Sequence, residues 1–192
     1  MESYIVEVKN NLTPELCKYI IEYFEKSKEK AIGVIGRGEY LPDLKKTKDL
    51  LITDNEIDSI LYEKLSEGLK IYYKNFLKLI DKIENKTYVT EFMTNTQDTR
   101  YLIGKYEKGG HFYWHQDMDK NECRILACIW YLNSLDTEIH GGSTEFLCGK
   151  NIEPEEGKLL IFPSTWPFIH KGSELLTDKP KYIITTFITA SN

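Results

Sequence analysis

Residues 106–117 read YEKGGHFYWHQD. After the glycine pair, the apolar and aromatic residues of this stretch are typical of a β-strand. The strand contains the pattern His115-x-Asp117, and side chains two residues apart on a strand point to the same face. The two side chains can therefore reach one ion together. So short a pattern often arises by chance, and a metal site needs a third ligand from elsewhere in the chain.

His170 is the third candidate ligand. It lies on a later predicted strand, after Pro163 and Pro167. Two histidines and one carboxylate on one face of a metal leave other coordination positions open, and this is the ligand set of many non-haem iron(II) sites. The sequence therefore predicts that His115, Asp117 and His170 bind iron(II) and leave positions on it for other molecules.

The second half of the chain alternates short runs of β-branched and aromatic residues with turn residues. The predicted strands are Thr87–Met93, Tyr101–Tyr106, Phe112–Asp117, Arg124–Leu132, Ser143–Leu147, Lys158–Phe162, Phe168–Lys171 and Lys181–Thr189. About eight short strands in roughly a hundred residues indicate a β-sandwich or barrel. The apolar run Ile125–Leu132 predicts a strand that is buried on both faces.

The first half of the chain predicts helices. Thr13 can cap a helix that starts at Pro14 and runs to about Lys30. A second helix is predicted from Asp54 to Ile83, and the glycine-broken stretch 33–49 is predicted as a polar loop, with a lid over the substrate as one possible role. No linker separates the two halves, so we expect a single domain over residues 1–192. In it, residues 1–86 are mainly helical support and residues 87–192 form the β core.

Composition excludes several classes of protein. The 192 residues carry 30 acidic and 25 basic side chains, for a formal charge of -5. The one short basic run, Lys45, Lys46 and Lys48, is predicted as a solvated loop, so no nucleic-acid partner is expected. No apolar run is long enough to span a membrane. The four cysteines are dispersed and the first ten residues lack a signal-peptide pattern, which predicts a reducing, cytoplasmic location.

Five motifs in order resemble the prolyl 4-hydroxylase-like family of Fe(II)/2-oxoglutarate-dependent oxygenases. The first is the quoted stretch, with its tyrosine, glycine pair and H-x-D at the family's spacing. The others are RILACIWYLN at 124–133, GGSTEF at 141–146, IEPEEGKLLIF at 152–162, and the pair formed by HKG at 170–172 and KY at 181–182. The resemblance covers residues 101–188. The opening helix, at Leu12–Ile21, is also similar to the helix that usually precedes such domains.

A 2-oxoglutarate cosubstrate needs a cationic partner for its distal carboxylate. Lys181 lies on the last predicted strand, where it shares a face with Ile183 and Thr185. Lys179 is the competing candidate, but Pro180 follows it and disfavours a regular strand there. We therefore predict Lys181 as the cationic partner.

The resemblance implies further roles for single residues. Tyr106 and Tyr131 match family tyrosines that hydrogen-bond the cosubstrate, and Thr185 matches a hydroxyl beside its distal carboxylate. Phe112 stands where the family often has tyrosine. The spacing between His170 and the basic residue is one longer than the commonest version.

The resemblance also implies an α+β fold, whose core is a double-stranded β-helix (jelly-roll, cupin-like) of about eight strands braced by N-terminal helices. The implied activity is that of a dioxygenase that hydroxylates a substrate C–H and releases succinate and CO2. Iron(II), 2-oxoglutarate and O2 are the implied cofactor and cosubstrates, with ascorbate as an optional reductant. A prolyl residue in a peptide or protein is the implied substrate. A free small molecule, or a non-catalytic metal-binding β-sandwich module, stays open as an alternative, as does the oligomeric state.

Overall fold

The computed structural model describes residues 2–36, 38–91, 95–118 and 123–190. Its strands are β1 (Val6–Val8), β2 (Ala31–Ile32), β3 (Lys45–Lys46), β4 (Lys48–Leu51), β5 (Thr96–Asp98), β6 (Leu102–Tyr106), β7 (His111–His115), β8 (Arg124–Tyr131), β9 (Thr144–Phe146), β10 (Asn151–Ile152), β11 (Leu159–Pro163), β12 (His170–Gly172) and β13 (Lys181–Ala190). Its helices are α1 (Pro14–Lys26), α2 (Asn55–Leu79), α3 (Lys86–Thr90) and α4 (Thr137–His140).

Two antiparallel sheets form the core. The larger sheet has eight strands in the order β1-β11-β8-β13-β6-β4-β2, with β5 paired to β13. The smaller sheet has five strands in the order β10-β9-β12-β7-β3. Apart from the pair β9–β10, neighbouring strands are not consecutive in the chain, as expected for a jelly-roll rather than a simple meander.

The larger sheet is buried on both faces. One face packs against α1 and α2, whose apolar stripes include Ile20, Phe24 and Leu61. The other face meets the smaller sheet in a second cluster of apolar side chains, among them Phe146 and Phe162. Because β8 lies in the middle of this arrangement, its last six residues are all buried, which confirms the predicted two-sided burial of this run.

The helix ends follow from local hydrogen bonds. Thr13 accepts a bond from the backbone of Leu16, and Asp54 caps α2 through the backbone amides of Glu56 and Ile57. The α1 helix ends at Lys26 rather than near Lys30. Since the ammonium of Lys30 donates to three carbonyl oxygens at this helix end, Lys30 serves as a cap and not as a helical residue.

Two further predictions of helix and strand bounds differ from the structure. The predicted strand Thr87–Met93 is the short helix α3 as far as Thr90, whose hydroxyl bonds to backbone carbonyls of its own turn; residues 92–94 lie outside the described part. The α2 helix ends at Leu79, four residues before the predicted end.

The last part of the stretch 33–49, which was predicted as a loop, forms strand β3 and the start of strand β4. Lys45 pairs with Phe112 of β7, and Lys48 pairs with Lys105 of β6. Strands this short have no periodicity to read and form only because neighbouring strands supply hydrogen bonds. The loop prediction was therefore wrong for this lysine run. The Lys45 side chain is largely buried in an ion pair with Asp49, whereas Lys46 and Lys48 are exposed, as predicted.

The helices leave no candidate for a membrane span: within the described ranges, none is both long and apolar enough to cross a bilayer. All four cysteines are free thiols.

Candidate metal centre

The β7 and β12 strands place two histidine rings side by side. His115 ends β7 and is directly opposite His170, the first residue of β12. Their ring centroids are 4.3 Å apart. Asp117 follows two residues after the end of β7, beyond the strand on which the sequence placed it. Its carboxylate nevertheless lies between the two rings, with one oxygen 3.5 Å from Nε2 of His115 and the other 3.5 Å from Nε2 of His170.

This donor set fits a divalent metal. One ligand atom from each of His115, Asp117 and His170 lies within 4.8 Å of the other two. Nδ1 of His115 donates to the carbonyl oxygen of Tyr113 at 2.7 Å, and Nδ1 of His170 donates to that of Phe168 at 3.1 Å. Because Nδ1 holds the proton in each ring, each Nε2 is left with a free lone pair, which is the state that binds a metal.

The electrostatics of the site favour the same ionisation states. Burial lowers the pKa of His170 to about 4, and the opposing effect of Asp117 is smaller. Burial alone would raise the pKa of the Asp117 carboxyl, but His170, His115 and Arg124 hold it below its ordinary value. These shifts favour a neutral imidazole at His170 and an ionised carboxylate at Asp117, the states that metal ligation requires.

The cavity that holds these side chains extends between the two sheets. It has a volume of about 460 Å³. Its walls contain the three candidate ligands, together with Tyr106, Lys181, Ile183 and Thr185 of the larger sheet. Residues 34–36, Leu44, Lys45 and Asp49 also line it. The stretch predicted as a loop is thus part of the cavity wall.

Lys181 is a buried cation inside this cavity. Its side chain is 1% exposed, and its ammonium donates to the carbonyl oxygen of Gly142 at 2.6 Å. The ammonium also lies over the rings of Tyr106 and Tyr131, at 4.8 and 5.8 Å from their centroids. Burial lowers the pKa of Lys181 to about 7. An anionic group in the cavity would therefore find a cation that has only neutral partners.

The competing Lys179 lies elsewhere. It is exposed, and its ammonium donates to the carbonyl oxygen of Ser134. The carbonyl that reaches Lys181 belongs to a glycine pair with positive φ, +65° at Gly141 and +78° at Gly142. A Cβ on Gly141 would stand 2.2 Å from the carbonyl oxygen of Glu174, so the close approach of this turn requires glycine.

The remaining predicted residues lie around Lys181. The ring of Tyr106 is buried in the cavity wall, and burial raises the pKa of its phenol, which keeps the hydroxyl protonated as a donor. Thr185 lines the cavity, with its hydroxyl 3.5 Å from the carbonyl oxygen of Leu102. Tyr131 is fully buried and donates to the hydroxyl of Thr144 at 2.7 Å. Tyr131 therefore reaches the cavity through Thr144, which lines it.

Sequence reasoning missed four cavity residues. Thr144 lies in the GGSTEF motif, two residues before the buried Phe146 on the same strand, and this shared inward face could have indicated it. Arg124 starts β8, lines the cavity and donates to the backbone carbonyl of Asp117. Lys45 and Asp49 form an ion pair of 2.7 Å in the cavity wall, and nothing in their local sequence indicates it.

Two other histidines lie outside this cluster. His111 is the first residue of β7, buried, and stacked on Tyr113 with ring centroids 4.1 Å apart. His140 ends α4.

Comparisons with known proteins agree with this geometry. Residues 100–189 match the family model described as the 2OG-Fe(II) oxygenase superfamily. Curated protein sequences give no match.

Solved structures match over nearly the whole chain. A viral collagen prolyl hydroxylase from Paramecium Bursaria Chlorella virus-1, in complex with 2OG, is similar with a TM-score of 0.72 and 16% identity, over 98% of this chain and 97% of that one. A prolyl hydroxylase from Trichoplax adhaerens, in complex with a peptide fragment of the hypoxia inducible factor oxygen degradation domain, has a TM-score of 0.76 and 16% identity, over 98% and 84%. A Pseudomonas putida prolyl-4-hydroxylase has a TM-score of 0.68 and 14% identity, over 97% and 92%.

These likenesses confirm the predicted double-stranded β-helix fold. The matched region contains the His-Asp-His cluster, the buried lysine and every strand from β6 to β12. The family's activity requires iron(II), 2-oxoglutarate and dioxygen, and the donor set found here fits that iron. Residues 100–189 of this chain are therefore similar to the 2OG-Fe(II) oxygenase superfamily, and this similarity includes all three clustered ligands.

Proposed function

We propose that this protein is a prolyl hydroxylase that acts on a peptide or protein. The observation that carries the proposal is one cavity with the three candidate iron ligands and, on its wall, the buried cation of Lys181. In the overall reaction, a substrate C–H, 2-oxoglutarate and O2 give the hydroxylated substrate, succinate and CO2. O2 is the oxidant: iron(II) would activate it, and 2-oxoglutarate would supply two electrons through its decarboxylation to succinate.

Each part of the cavity has a distinct task in this proposal. His115, Asp117 and His170 hold iron(II). The ammonium of Lys181 binds the distal carboxylate of 2-oxoglutarate, because a charge-assisted hydrogen bond is the strongest contact available to that group. The hydroxyls of Tyr106 and Thr185 donate to the cosubstrate, and Tyr131 orients Thr144 for the same purpose.

The peptide substrate is inferred from the structural relatives. The Trichoplax enzyme holds a peptide fragment, and the viral enzyme is named for collagen, a proline-rich protein. The wall formed by residues 34–36, Leu44, Lys45 and Asp49 is the side of the cavity on which we expect the peptide to lie. Valine, isoleucine and leucine side chains there suit the apolar ring of proline.

We also propose that residues 1–192 work as one unit. The β1, β3 and β4 strands pair with β11, β7 and β6 of the matched region. The apolar side chains of α1 and α2 share one cluster with the larger sheet. Removal of the first half would therefore expose this cluster and remove one wall of the cavity.

The test is production of succinate from 2-oxoglutarate. The purified protein, loaded anaerobically with iron(II), is exposed to O2 with and without a panel of proline-containing peptides and free proline. We expect succinate from the wild type, stimulation by a peptide, and loss of activity in His115→Ala. His111→Ala is the matched control, because His111 lies on the same strand but outside the metal cluster.

The outcomes separate the alternatives. Stimulation by free proline alone would replace the peptide substrate with a small molecule. Absence of succinate, together with absence of 2-oxoglutarate binding to the metal-loaded protein, would overturn the enzymatic proposal in favour of a binding module.

A further inference from the structure

The two candidate histidine ligands are held in different ways. The imidazole of His170 lies against two core rings, Phe146 and Phe162, at centroid distances of 5.6 and 4.7 Å, and its side chain is only 4% exposed. The side chain of His115 is 14% exposed, on the cavity side. The ring stacked on it is that of Phe112, at 3.6 Å between centroids and 10° between planes.

This stacking depends on an irregularity in β7. His115 is opposite His170, but Phe112 is opposite Gly172, so three steps along β7 face two steps along β12. The extra residue lies at Tyr113 or Trp114 and forms a β-bulge. In a regular strand, residues three apart point to opposite faces. The bulge cancels one alternation, so that Phe112 and His115 both point into the cavity.

The hydrogen bond from Nδ1 of His115 to the carbonyl oxygen of Tyr113 does not fix the rotation of the imidazole about its bond to Cβ. It selects the nitrogen that is available to a metal, but it allows the imidazole to rock about the bond to its Cβ. A ring stacked nearly parallel on the imidazole restricts that rocking, because rotation would lose contact across the whole face. We propose that Phe112 is a positioning residue that holds the plane of His115, so that its Nε2 faces the metal position shared with Asp117 and His170.

Phe112 is itself held from the neighbouring strand. Lys45 of β3 pairs with it, and the Lys45 ammonium lies over its ring, 5.4 Å from the centroid. The same ammonium donates to the carboxylate of Asp49 at 2.7 Å, and Asp49 accepts a second bond from Thr47 at 2.8 Å. The charge of Lys45 is thus compensated within the cavity wall. The consequence is a continuous set of contacts from the wall, through Phe112, to His115.

This inference rests on the proposed function for the identity of the metal, but its test needs no substrate. Phe112→Leu and Phe112→Met remove the flat face and keep much of the apolar volume. Phe112→Tyr keeps the flat face and is the conservative variant. Tyr113→Leu is the matched control, since the Tyr113 ring stacks on His111, which is not among the clustered ligands.

The measurements are the affinity for cobalt(II) or iron(II), titrated anaerobically, the visible absorption spectrum of the cobalt(II) protein, and the melting temperature of the metal-free protein. Changes around metal ligands typically cost about 10- to 100-fold in metal affinity. We expect a loss of that size, with an altered cobalt(II) spectrum, in Phe112→Leu and Phe112→Met at little cost in melting temperature. Phe112→Tyr and Tyr113→Leu should both match the wild type.

Wild-type affinity and spectrum in Phe112→Leu or Phe112→Met would overturn the positioning role. An equal loss in Tyr113→Leu would overturn it as well, because any disturbance of β7 would then suffice. Failure of the wild type to bind either metal would refute the proposed function itself, and so is distinguished from failure of this inference.

Discussion

Replacement of Lys181 by methionine should stabilise the metal-free protein and abolish 2-oxoglutarate binding. The fall of the lysine pKa from 10.5 to about 7 on burial corresponds to about 4 kcal/mol at pH 7, since each pKa unit is worth about 1.4 kcal/mol. Methionine removes that cost. It also leaves the carbonyl of Gly142 without its donor, which costs about 1–3 kcal/mol. The net expectation is a gain of about 1–3 kcal/mol.

The gain in free energy of unfolding in Lys181→Met should decrease as the pH rises above 7. The pKa of Lys181 is lower in the folded than in the unfolded protein, so the cost is largest at and below pH 7 and disappears as the pH approaches 10.5. Urea denaturation of wild type and Lys181→Met, at several pH values between 7 and 10, measures the difference in free energy of unfolding. Calorimetry on the manganese-loaded proteins measures 2-oxoglutarate binding.

Lys179→Met is the matched control, because Lys179 is an exposed lysine two residues away. It should change neither the free energy of unfolding nor 2-oxoglutarate affinity by a measurable amount. A Lys181→Met protein that is less stable than the wild type at pH 7, or that binds 2-oxoglutarate normally, would refute the reasoning.

Three further results are expected. Tyr106→Phe should weaken 2-oxoglutarate binding by about tenfold in calorimetry, the value of one hydrogen bond to a charged group. Thr144→Val should lower the free energy of unfolding by about 1–3 kcal/mol in urea, since it removes the acceptor of the buried Tyr131 hydroxyl; an unchanged value would contradict this. The affinity of the metal-loaded wild type for 2-oxoglutarate should fall by about tenfold per pH unit above pH 7, because Lys181 must take up a proton to pair with the carboxylate, and a flat profile would show that Lys181 is not the partner.

Much of the β core could be predicted from the sequence. Seven of the eight predicted strands are present, because β-branched and aromatic runs between glycine and proline turns specify buried strands strongly. Thr87–Met93 failed for the opposite reason: its residues favour strands only where a neighbouring strand can pair with them. The short strands β2 and β3 could not be predicted, because two residues carry no periodicity.

The metal cluster could be predicted in composition but not in detail. The H-x-D pattern and the later histidine gave all three clustered residues. Regular strand alternation, however, would place His111 on the face of His115 and Phe112 on the other. The bulge in β7 reverses this, and a bulge is set by pairing register with β12, which the sequence of β7 alone does not contain.

The cavity wall around Lys181 depends on contacts between residues that are far apart in the sequence. Lys181 was predictable because its strand and its charge are both visible in the sequence. Its partner carbonyl belongs to Gly142, in the turn before β9, and the Tyr131–Thr144 bond joins residues of different sheets. The ion pair of Lys45 and Asp49 is local in sequence, but its burial depends on the pairing of β3 with β7 and of β4 with β6.

The most direct test of the account is to follow the oxygen atoms. The iron(II)-loaded protein is given 2-oxoglutarate and isotopically labelled O2, and the succinate is examined by mass spectrometry. The account predicts one labelled oxygen atom in the succinate from the wild type and no succinate from His115→Ala. Unlabelled succinate, or labelled succinate in equal amount from His115→Ala, would contradict the assignment of this cavity as the site where O2 reacts.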